Sequence, residues 1–233
     1  MPPVADGVPR LRPGLLRWED VVDGVHCMEP RFLADQIDRS RRNLGVSTID
    51  VYYLHNPETQ LGEVSRSEFL RRLRAAFGEL EHACDEQRIA AYGTATWNGY
   101  RVSDDDPEYL SLDEVLQCAR EAAGTCHRFR AVQLPFNLEM DDAASFPNQR
   151  GRTLVAAARD NGIAVFASAP VLQGRLARLS PAERARLSRL DTDAQRALQF
   201  VRATPGITCA LVGMKSVSHV EENAAVARIA PAA

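Results

Sequence analysis

The sequence contains almost no lysine and no long hydrophobic run. Lys215 is the only lysine among the 233 residues, so arginine supplies nearly all of the positive charge. No stretch of about 18 consecutive apolar residues occurs, and a membrane-spanning helix is therefore not expected. The first residues, Met1 to Gly7, lack the basic and apolar regions of a signal peptide, which predicts a cytoplasmic protein.

The chain also lacks the charge and cysteine patterns that mark specialised classes of protein. Its formal net charge of -3 at pH 7 indicates no strongly basic surface, so we expect no binding to nucleic acid or to a membrane. The five cysteines are scattered and show no C-x-x-C spacing. Cys118, Cys126 and His127 match no common spacing of zinc ligands, and we expect no metal site.

Strand-like apolar runs alternate with helical patterns from Pro30 to the end of the chain. Pro30 and Gly45 have the positions of a helix start and a helix end, and Ser65 with Glu68 has the spacing of a capping box. Because each predicted strand is followed by a helix, the pattern indicates an α/β fold with a parallel sheet. Strands are predicted at residues 49–55, 89–94, 131–134, 163–167 and 208–212, and the last helix at 218–229.

His55 is the best candidate for a catalytic residue. It ends the first predicted strand, directly before the chain-breaking pair Asn56 and Pro57. In parallel α/β proteins, ligands bind at the carboxyl ends of the strands. An imidazole titrates near pH ~6.5 and can polarise a carbonyl group or move a proton. The alternative is a structural histidine that is hydrogen-bonded at the end of a strand.

Five short motifs follow one another along the chain. They are IDVYYLHNP at 49–57, YGTATW at 92–97, VQLPFN at 132–137, SAPVLQG at 168–174, and LVGMKS at 211–216 followed by His219, Glu222 and Asn223. In this order they resemble the aldo-keto reductase superfamily over roughly residues 25 to 230. The resemblance implies an eight-stranded (β/α) barrel that reduces carbonyl groups with NAD(P)H, and it places His55 at the family's catalytic histidine.

The part of the chain before the first strand is too short for the missing portion of such a barrel. A complete barrel takes about 250 residues, whereas only 48 residues precede Ile49. We therefore expect an incomplete TIM (β/α) barrel of the aldo-keto reductase type, with about five parallel strands. Residues 1–24 are predicted to be a loose Pro/Gly/Arg-rich segment, and residues 25–233 to be the truncated barrel domain. The family's catalytic Asp, Tyr and Lys then have no matching positions.

The resemblance also implies a site for NADP. Gln133 matches the family glutamine that binds the nicotinamide carboxamide, and Thr96 stands where the family has a polar partner. Lys215 and Ser216 suit a ribose phosphate, and His219 occupies a place where the family usually has Arg or Gln. The alternative for the C-terminal segment is an ordinary capped surface helix. The predicted cofactor-binding residues are Thr96, Gln133, Gly213, Lys215, Ser216, His219, Glu222 and Asn223.

Trp97 and Asn98 are predicted to line a substrate pocket, although packing within their loop is the alternative. We therefore expect an NADP(H)-binding protein related to carbonyl-reducing oxidoreductases, with a small-molecule carbonyl substrate if it is active. As a single chain it lacks the family's catalytic Asp, Tyr and Lys. Two alternatives stay open: a non-redox binding or regulatory protein, and a lyase or isomerase that uses His55 as a general base.

An incomplete barrel predicts a partner. A sheet of five parallel strands has two exposed edges and an uncovered apolar face, and proteins usually cover both. The candidates for this cover are the Pro-rich N-terminal segment, a second copy of the chain in a homo-oligomer, or a separate partner chain.

Overall fold

The computed structural model describes residues 15–186 and 190–230. Five parallel strands alternate with helices, which confirms the predicted α/β fold, and the sheet formed by the described residues is not closed. The strands are β1 (Ile49–His55), β2 (Ile89–Ala95), β3 (Phe129–Pro135), β4 (Ala164–Ser168) and β5 (Cys209–Ala210). The α-helices are α1 (Pro30–Leu44), α2 (Arg66–Asp85), α3 (Leu112–Ala123), α4 (Asp142–Ser145), α5 (Leu154–Asp160), α6 (Pro181–Arg186), α7 (Asp193–Ala203) and α8 (Val217–Ala225).

The described residues fall into two compact units. The first contains the residues up to Thr94 together with Asp113–Phe129, and the second contains Ala95–Leu112 together with the residues from Arg130 onward. In the first unit β1 neighbours β2, and in the second unit β4 lies between β3 and β5. The predicted domain boundary between residues 24 and 25 stays a prediction, and most of the predicted loose segment lies outside the described residues.

The predicted start and end of α1 and the predicted start of α2 are confirmed, with one difference in the cap of α2. Gly45 ends α1 in the left-handed conformation, with φ of 69°. The Ser65 side chain accepts a hydrogen bond from the backbone N–H of Glu68 at the start of α2. The Glu68 carboxylate does not complete the capping box, because it accepts hydrogen bonds from Arg71 and Arg72 instead.

The core of the first unit is built around the apolar face of α2. Three rings meet at its centre: the ring centroid of Phe77 lies 5.1 Å from that of Tyr92 and 5.6 Å from that of Phe129. One turn further along α2, the buried carboxylate of Glu81 accepts a 2.8 Å hydrogen bond from the Tyr92 hydroxyl. Glu81 also accepts hydrogen bonds from the backbone and the guanidinium of Arg128, so it joins α2, β2 and the start of β3.

In the second unit, the two faces of the sheet differ in burial. Val132 and Leu134 of β3, with Val165 and Ala167 of β4, are completely buried on one face. On the other face of β4, the side chains of alternate residues such as Phe166 are only partly buried. Continuous apolar runs are typical of strands that are buried on both faces, whereas β4 is fully buried on one face only.

The last strand is shorter than predicted. β5 consists of two residues, paired with Phe166 and Ala167 of β4, instead of the predicted 208–212. The last hydrogen bond between the two segments runs from the Leu211 N–H to the Ala167 carbonyl at 2.8 Å; β4 ends at Ser168, and Ala169 then turns the chain away with φ of 49°. The last helix is also shorter than predicted: α8 ends at Ala225 and is followed by a single 3-10 turn, Val226–Arg228.

The buried carboxylate of Glu81 gives a test of this core. We expect Glu81→Ala to lower the free energy of unfolding by about 3 kcal/mol, because it removes the buried acceptor of the hydrogen bonds from the Tyr92 hydroxyl and the Arg128 backbone N–H. Asp85→Ala is the matched control, since it removes the second, exposed carboxylate partner of Arg128 and is expected to cost less than about 1 kcal/mol. Urea denaturation measures both changes, and equal costs for the two variants would contradict this account.

Candidate functional site

His55 is the last residue of β1, and its side chain is exposed. The imidazole of His55 forms no hydrogen bond with any of the described residues. Its backbone carbonyl instead accepts a 2.8 Å hydrogen bond from Nε2 of His26. Asn56 then adopts a left-handed conformation with φ of 45°, and Pro57 starts a 3-10 helix. The main chain at the strand end is therefore fixed, while the imidazole ring faces solvent and is available for a ligand.

A network of hydrogen-bonded polar side chains holds the end of β1. Nδ1 of His26 accepts a 2.9 Å hydrogen bond from the amide of Gln60, and Oε1 of Gln60 accepts a 2.7 Å hydrogen bond from Arg72. Arg72 also binds Glu68 at 2.8 Å. Because Gln60 donates to Nδ1, the proton of neutral His26 lies on Nε2, which is the tautomer that donates to the His55 carbonyl.

Burial lowers the pKa of His26. Loss of solvation is the main cause; the hydrogen bond to the His55 backbone opposes it, and the nearby charge of His55 adds to it. Protonation of Nδ1 also removes the acceptor that the Gln60 amide requires. The folded protein therefore favours the neutral form of His26.

A cleft of about 530 Å³ lies in the second unit. Its size is in the usual range for ligand sites. It brings together five of the predicted cofactor-binding residues, and it adds a wall from the loop after β4 and from the start of α7. The predicted residues that line it are Gly213, Lys215, His219, Glu222 and Asn223.

The loop after β4 has an unusual backbone. Ala169, Leu172 and Gln173 have positive φ angles of 49°, 44° and 54°, and Gly174 follows with φ of 90°. Such conformations cost on the order of 1 kcal/mol or more for residues with a side chain, and they cluster at functional sites. The SAPVLQG motif contains this loop, but its residues were not predicted to bind the cofactor.

The start of α7 forms another part of the cleft wall, and its residues were not predicted to belong to the site. Thr192 and Ala194 line the cleft. A local signal was present, because Thr192 and Gln195 have the spacing of a capping box, and both of its hydrogen bonds are formed. The position of α7 beside α8 depends on contacts between residues that are distant in sequence. A capping motif does not specify such contacts.

Ser216 and Lys215 lie at the start of α8. The Ser216 hydroxyl caps this helix by accepting a hydrogen bond from the backbone N–H of His219, and Ser216 does not line the cleft. Lys215 does line the cleft and adds its positive charge to that of the helix N-terminus. This end of the cleft is therefore suited to an anionic group.

Thr96 and Gln133 are joined through the backbone, since the N–H of Thr96 donates a 2.8 Å hydrogen bond to the carbonyl of Gln133. Oγ1 of Thr96 is buried and has no hydrogen-bond partner among the described residues. The Gln133 side chain is partly buried. Neither residue lines the cleft, so their role toward a cofactor stays a prediction.

Trp97 and Asn98 begin the loop after β2. The indole of Trp97 is 43% exposed, whereas the amide of Asn98 donates a 2.7 Å hydrogen bond to Glu108 within the loop. The Asn98 backbone carbonyl also accepts from the N–H of Arg101, so Asn98 closes the loop on itself. Trp97 is the better placed of the two for contact with a substrate, and the predicted pocket stays a prediction.

The described residues offer neither a metal site nor a membrane-spanning helix. No group of three or more His, Cys, Asp and Glu side chains in residues 15–186 and 190–230 is arranged to hold a metal ion. In the same part of the chain, no helix has both the length and the apolar character needed to cross a membrane.

Comparison with known proteins points to one family. The model of the Aldo/keto reductase family matches residues 17–231. No curated protein sequence gives a significant match. Similar solved structures include a thermostable aldo-keto reductase in complex with the inhibitor epalrestat (15% identity, TM-score 0.62). They also include the holo form of an aldo-keto reductase from Bacillus halodurans (16%, 0.59) and a Klebsiella pneumoniae aldo/keto reductase in complex with NADP and acetate (20%, 0.61).

These structural matches extend over most of this chain but only part of the relatives. They cover 87%, 88% and 84% of this chain, in the same order, and 63%, 64% and 59% of the other chains. The chain thus spans less than two thirds of the length of each of these structures. At these identities the likeness shows the fold alone.

The neutral state of His26 predicts a pH dependence of stability. The unfolded chain protonates this histidine near pH ~6.5, whereas the folded protein resists protonation until a lower pH. The unfolded state therefore binds more protons between these two pKa values, and the free energy of unfolding falls as the pH is lowered through this range. The pKa values of Glu68 and Asp193 are lowered to about 2 by hydrogen bonds from arginines, so their own loss of charge in the folded state lies at more acidic pH.

Denaturation midpoints between pH ~7.5 and ~5.5 measure this effect. His26→Gln keeps a donor for the His55 carbonyl but does not titrate, so we expect a weaker pH dependence than in the unaltered chain. His82→Gln is the control, because His82 is an exposed histidine on α2. A slope in His26→Gln equal to that of the unaltered chain would show that His26 is not the group responsible.

Proposed function

Since the chain belongs to the aldo/keto reductase family, we propose that it binds NADP(H) in the cleft between the loop after β4, the start of α7 and α8. One observation carries this proposal. The only lysine of the chain, His219, Glu222 and Asn223 line one cleft at the capped start of α8. These residues come from the segment whose motif implied the cofactor.

The groups that line the cleft are suited to a dinucleotide. Lys215 and the N-terminus of α8 favour a phosphate, and the carboxylate and amide of Glu222 and Asn223 suit the hydrogen-bonding edge of an adenine. Leu211 and Val212 add an apolar surface to the same wall. The similar Klebsiella pneumoniae structure contains NADP, and a second structure from the same organism contains NADPH, which agrees with this choice of ligand.

In this proposal the nicotinamide half of the cofactor is held by Gln133 and Thr96. The unused Oγ1 of Thr96 supports the assignment, because a buried hydroxyl normally has a hydrogen-bond partner. Bound NADPH supplies a hydride for reduction of a carbonyl group. His55 is proposed to donate a hydrogen bond to the substrate's carbonyl oxygen, which its exposed imidazole permits.

We further propose that the chain alone does not complete the family reaction. The resemblance assigns no position of the sequence to the family's catalytic Asp, Tyr and Lys, and Lys215 lines the cleft proposed for the cofactor. The acid would then be supplied from outside residues 1–233. The function supported best is therefore cofactor binding by a member of a reductase family, with a small-molecule carbonyl as the substrate class of the complete site.

NADPH binding tests the proposal directly. A titration followed by the fluorescence of added NADPH is expected to show saturable binding by the unaltered chain. Lys215→Met is expected to weaken NADPH binding about tenfold, because a charge-assisted hydrogen bond to the ribose phosphate is lost. NADH lacks this phosphate, so its binding is expected to change less.

Arg159→Met serves as the control for loss of one positive charge, since Arg159 is 70% exposed and does not line the cleft. It is expected to leave the affinity for NADPH within about twofold of the unaltered value. Absence of saturable binding by the unaltered chain contradicts the proposed function, and equal effects of Lys215→Met and Arg159→Met contradict the role of Lys215.

An exposed apolar surface supports the prediction that the chain binds a partner. Met214, Val217 and Val220 lie on and before α8 with exposures of 43%, 73% and 44%, next to the two-residue edge strand β5. Apolar side chains grouped in this way commonly mark an interaction site. We propose that a second copy of the chain covers this surface.

The molar mass in solution, measured by size-exclusion chromatography with light scattering, tests this proposal. We expect a mass above the 25.7 kDa of one chain, and Val217→Glu is expected to shift the population toward the monomer. Val25→Glu is a matched control because Val25 is 75% exposed and lies in the other unit. A monomer at all concentrations contradicts the homo-oligomer.

A further inference from the structure

We propose that Gln195 is a positioning residue for the cofactor cleft. Gln195 does not line the cleft, but its side chain joins the start of α7 to the backbone of α8 at Glu222. The affinity of the cleft for a nucleotide then depends on this side chain. The inference rests on the proposed function, because its main consequence is measured as binding of NADPH.

Gln195 forms hydrogen bonds in two directions. Its Oε1 accepts from the backbone N–H groups of Asp191 and Thr192, at 3.1 and 3.3 Å, and its Nε2 donates to the backbone carbonyl of Glu222 at 2.9 Å. This pattern fixes the orientation of the amide, because a flipped amide would place N–H groups against N–H groups. The side chain is only 6% exposed, so an unmade bond would not be replaced by bulk water.

The start of α7 is anchored independently of this amide. The carboxylate of Asp193 accepts hydrogen bonds from the backbone N–H of Leu179 and from the guanidinium groups of Arg184 and Arg196. The hydrogen bond from Arg184 is the main reason that the pKa of Asp193 is lowered to about 2, so this carboxylate is charged at neutral pH. Thr192 and Ala194 are therefore held in the cleft wall even without the bond to Glu222.

α8 is held much less firmly. None of its residues is buried, so packing contributes little to its position, and its C-terminal end is tied to α7 where Arg202 donates to the backbone carbonyl of Val226. The bond from Gln195 reaches α8 at Glu222, whose side chain lines the cleft together with those of His219 and Asn223. Loss of this bond is therefore expected to displace α8 relative to α7 and to change the distance between the two walls of the cleft.

Gln199 provides a matched comparison on the same helix. It is 8% exposed, and its Nε2 donates a 3.0 Å hydrogen bond to the backbone carbonyl of Ala230. Gln199 and Gln195 therefore each join α7 to a carbonyl near the C-terminus. Gln199 differs in that neither it nor Ala230 lies at the cleft.

Substitution by glutamate separates the two functions of Gln195. A glutamate still accepts from Asp191 and Thr192, but it has no N–H to donate and places a carboxylate oxygen against the Glu222 carbonyl. Gln195→Glu is therefore expected to weaken NADPH binding about tenfold, whereas Gln199→Glu is expected to stay within about twofold of the unaltered chain. The full chain and the same fluorescence titration are used for all three proteins.

Hydrogen exchange gives a second readout that needs no cofactor. In Gln195→Glu, the amides of residues 217–225 are expected to exchange several-fold faster, while those of residues 193–203 keep their protection, because the cap of α7 is retained. Gln195→Leu removes both bonds and is expected to speed exchange in both helices. A general loss of stability would instead raise exchange in both helices of Gln195→Glu.

The outcomes separate this inference from the proposed function. If the unaltered chain binds NADPH and Gln195→Glu binds it equally well, or if Gln199→Glu weakens binding as much, the positioning role of Gln195 is wrong. Unchanged exchange of residues 217–225 in Gln195→Glu also overturns it. If the unaltered chain itself does not bind NADPH, the proposed function fails, and the link from Gln195 to affinity fails with it.

Discussion

The pairing of β4 with both of its neighbours determines where the cleft forms. Within the second unit, Phe166 is paired with Gln133 of β3 on one side and with Cys209 of β5 on the other. Because all three strands run in the same direction, the segments that follow β4 and β5 leave the sheet at the same edge. The loop from Ala169 and the segment that contains Lys215 face each other across the cleft for this reason.

Neutral amide side chains connect the ends of the elements in both units. Gln60 donates to His26 and accepts from Arg72, while Gln195 accepts from the start of α7 and donates to α8. Gln149 does the same for the start of α3, with its Oε1 accepting from Leu112 and its Nε2 donating to the carbonyl of Leu110. An amide carries a donor and an acceptor at fixed separation, so it satisfies two backbone or side-chain groups without a buried charge.

The parts of the fold that local chemistry dictates were predictable from the sequence. Pro30 and Gly45 bound α1, and Ser65 caps the start of α2, because caps act within a few residues. The length of β5 was not predictable, since its pairing with β4 stops at Ala210 and the last hydrogen bond to β4 comes from the Leu211 N–H. That limit comes from the turn at Ala169, about forty residues earlier in the chain.

The candidate site was predictable to a similar degree. One continuous motif supplied Gly213, Lys215 and His219, and all three line the cleft. Thr192 was missed because only the fold brings α7 beside α8, and a capping pattern says nothing about which helix lies next to it. The hydrogen bond from His26 to His55 joins residues 29 positions apart and has no local signal either.

The near absence of lysine has a practical consequence. Apart from the N-terminal amine, the chain offers one primary amine, and Lys215 exposes it at the lining of the cleft. Reagents that acylate amines will therefore attach at a single internal position. A fluorophore or an affinity tag introduced in this way reports on the mouth of the cleft without any engineered residue.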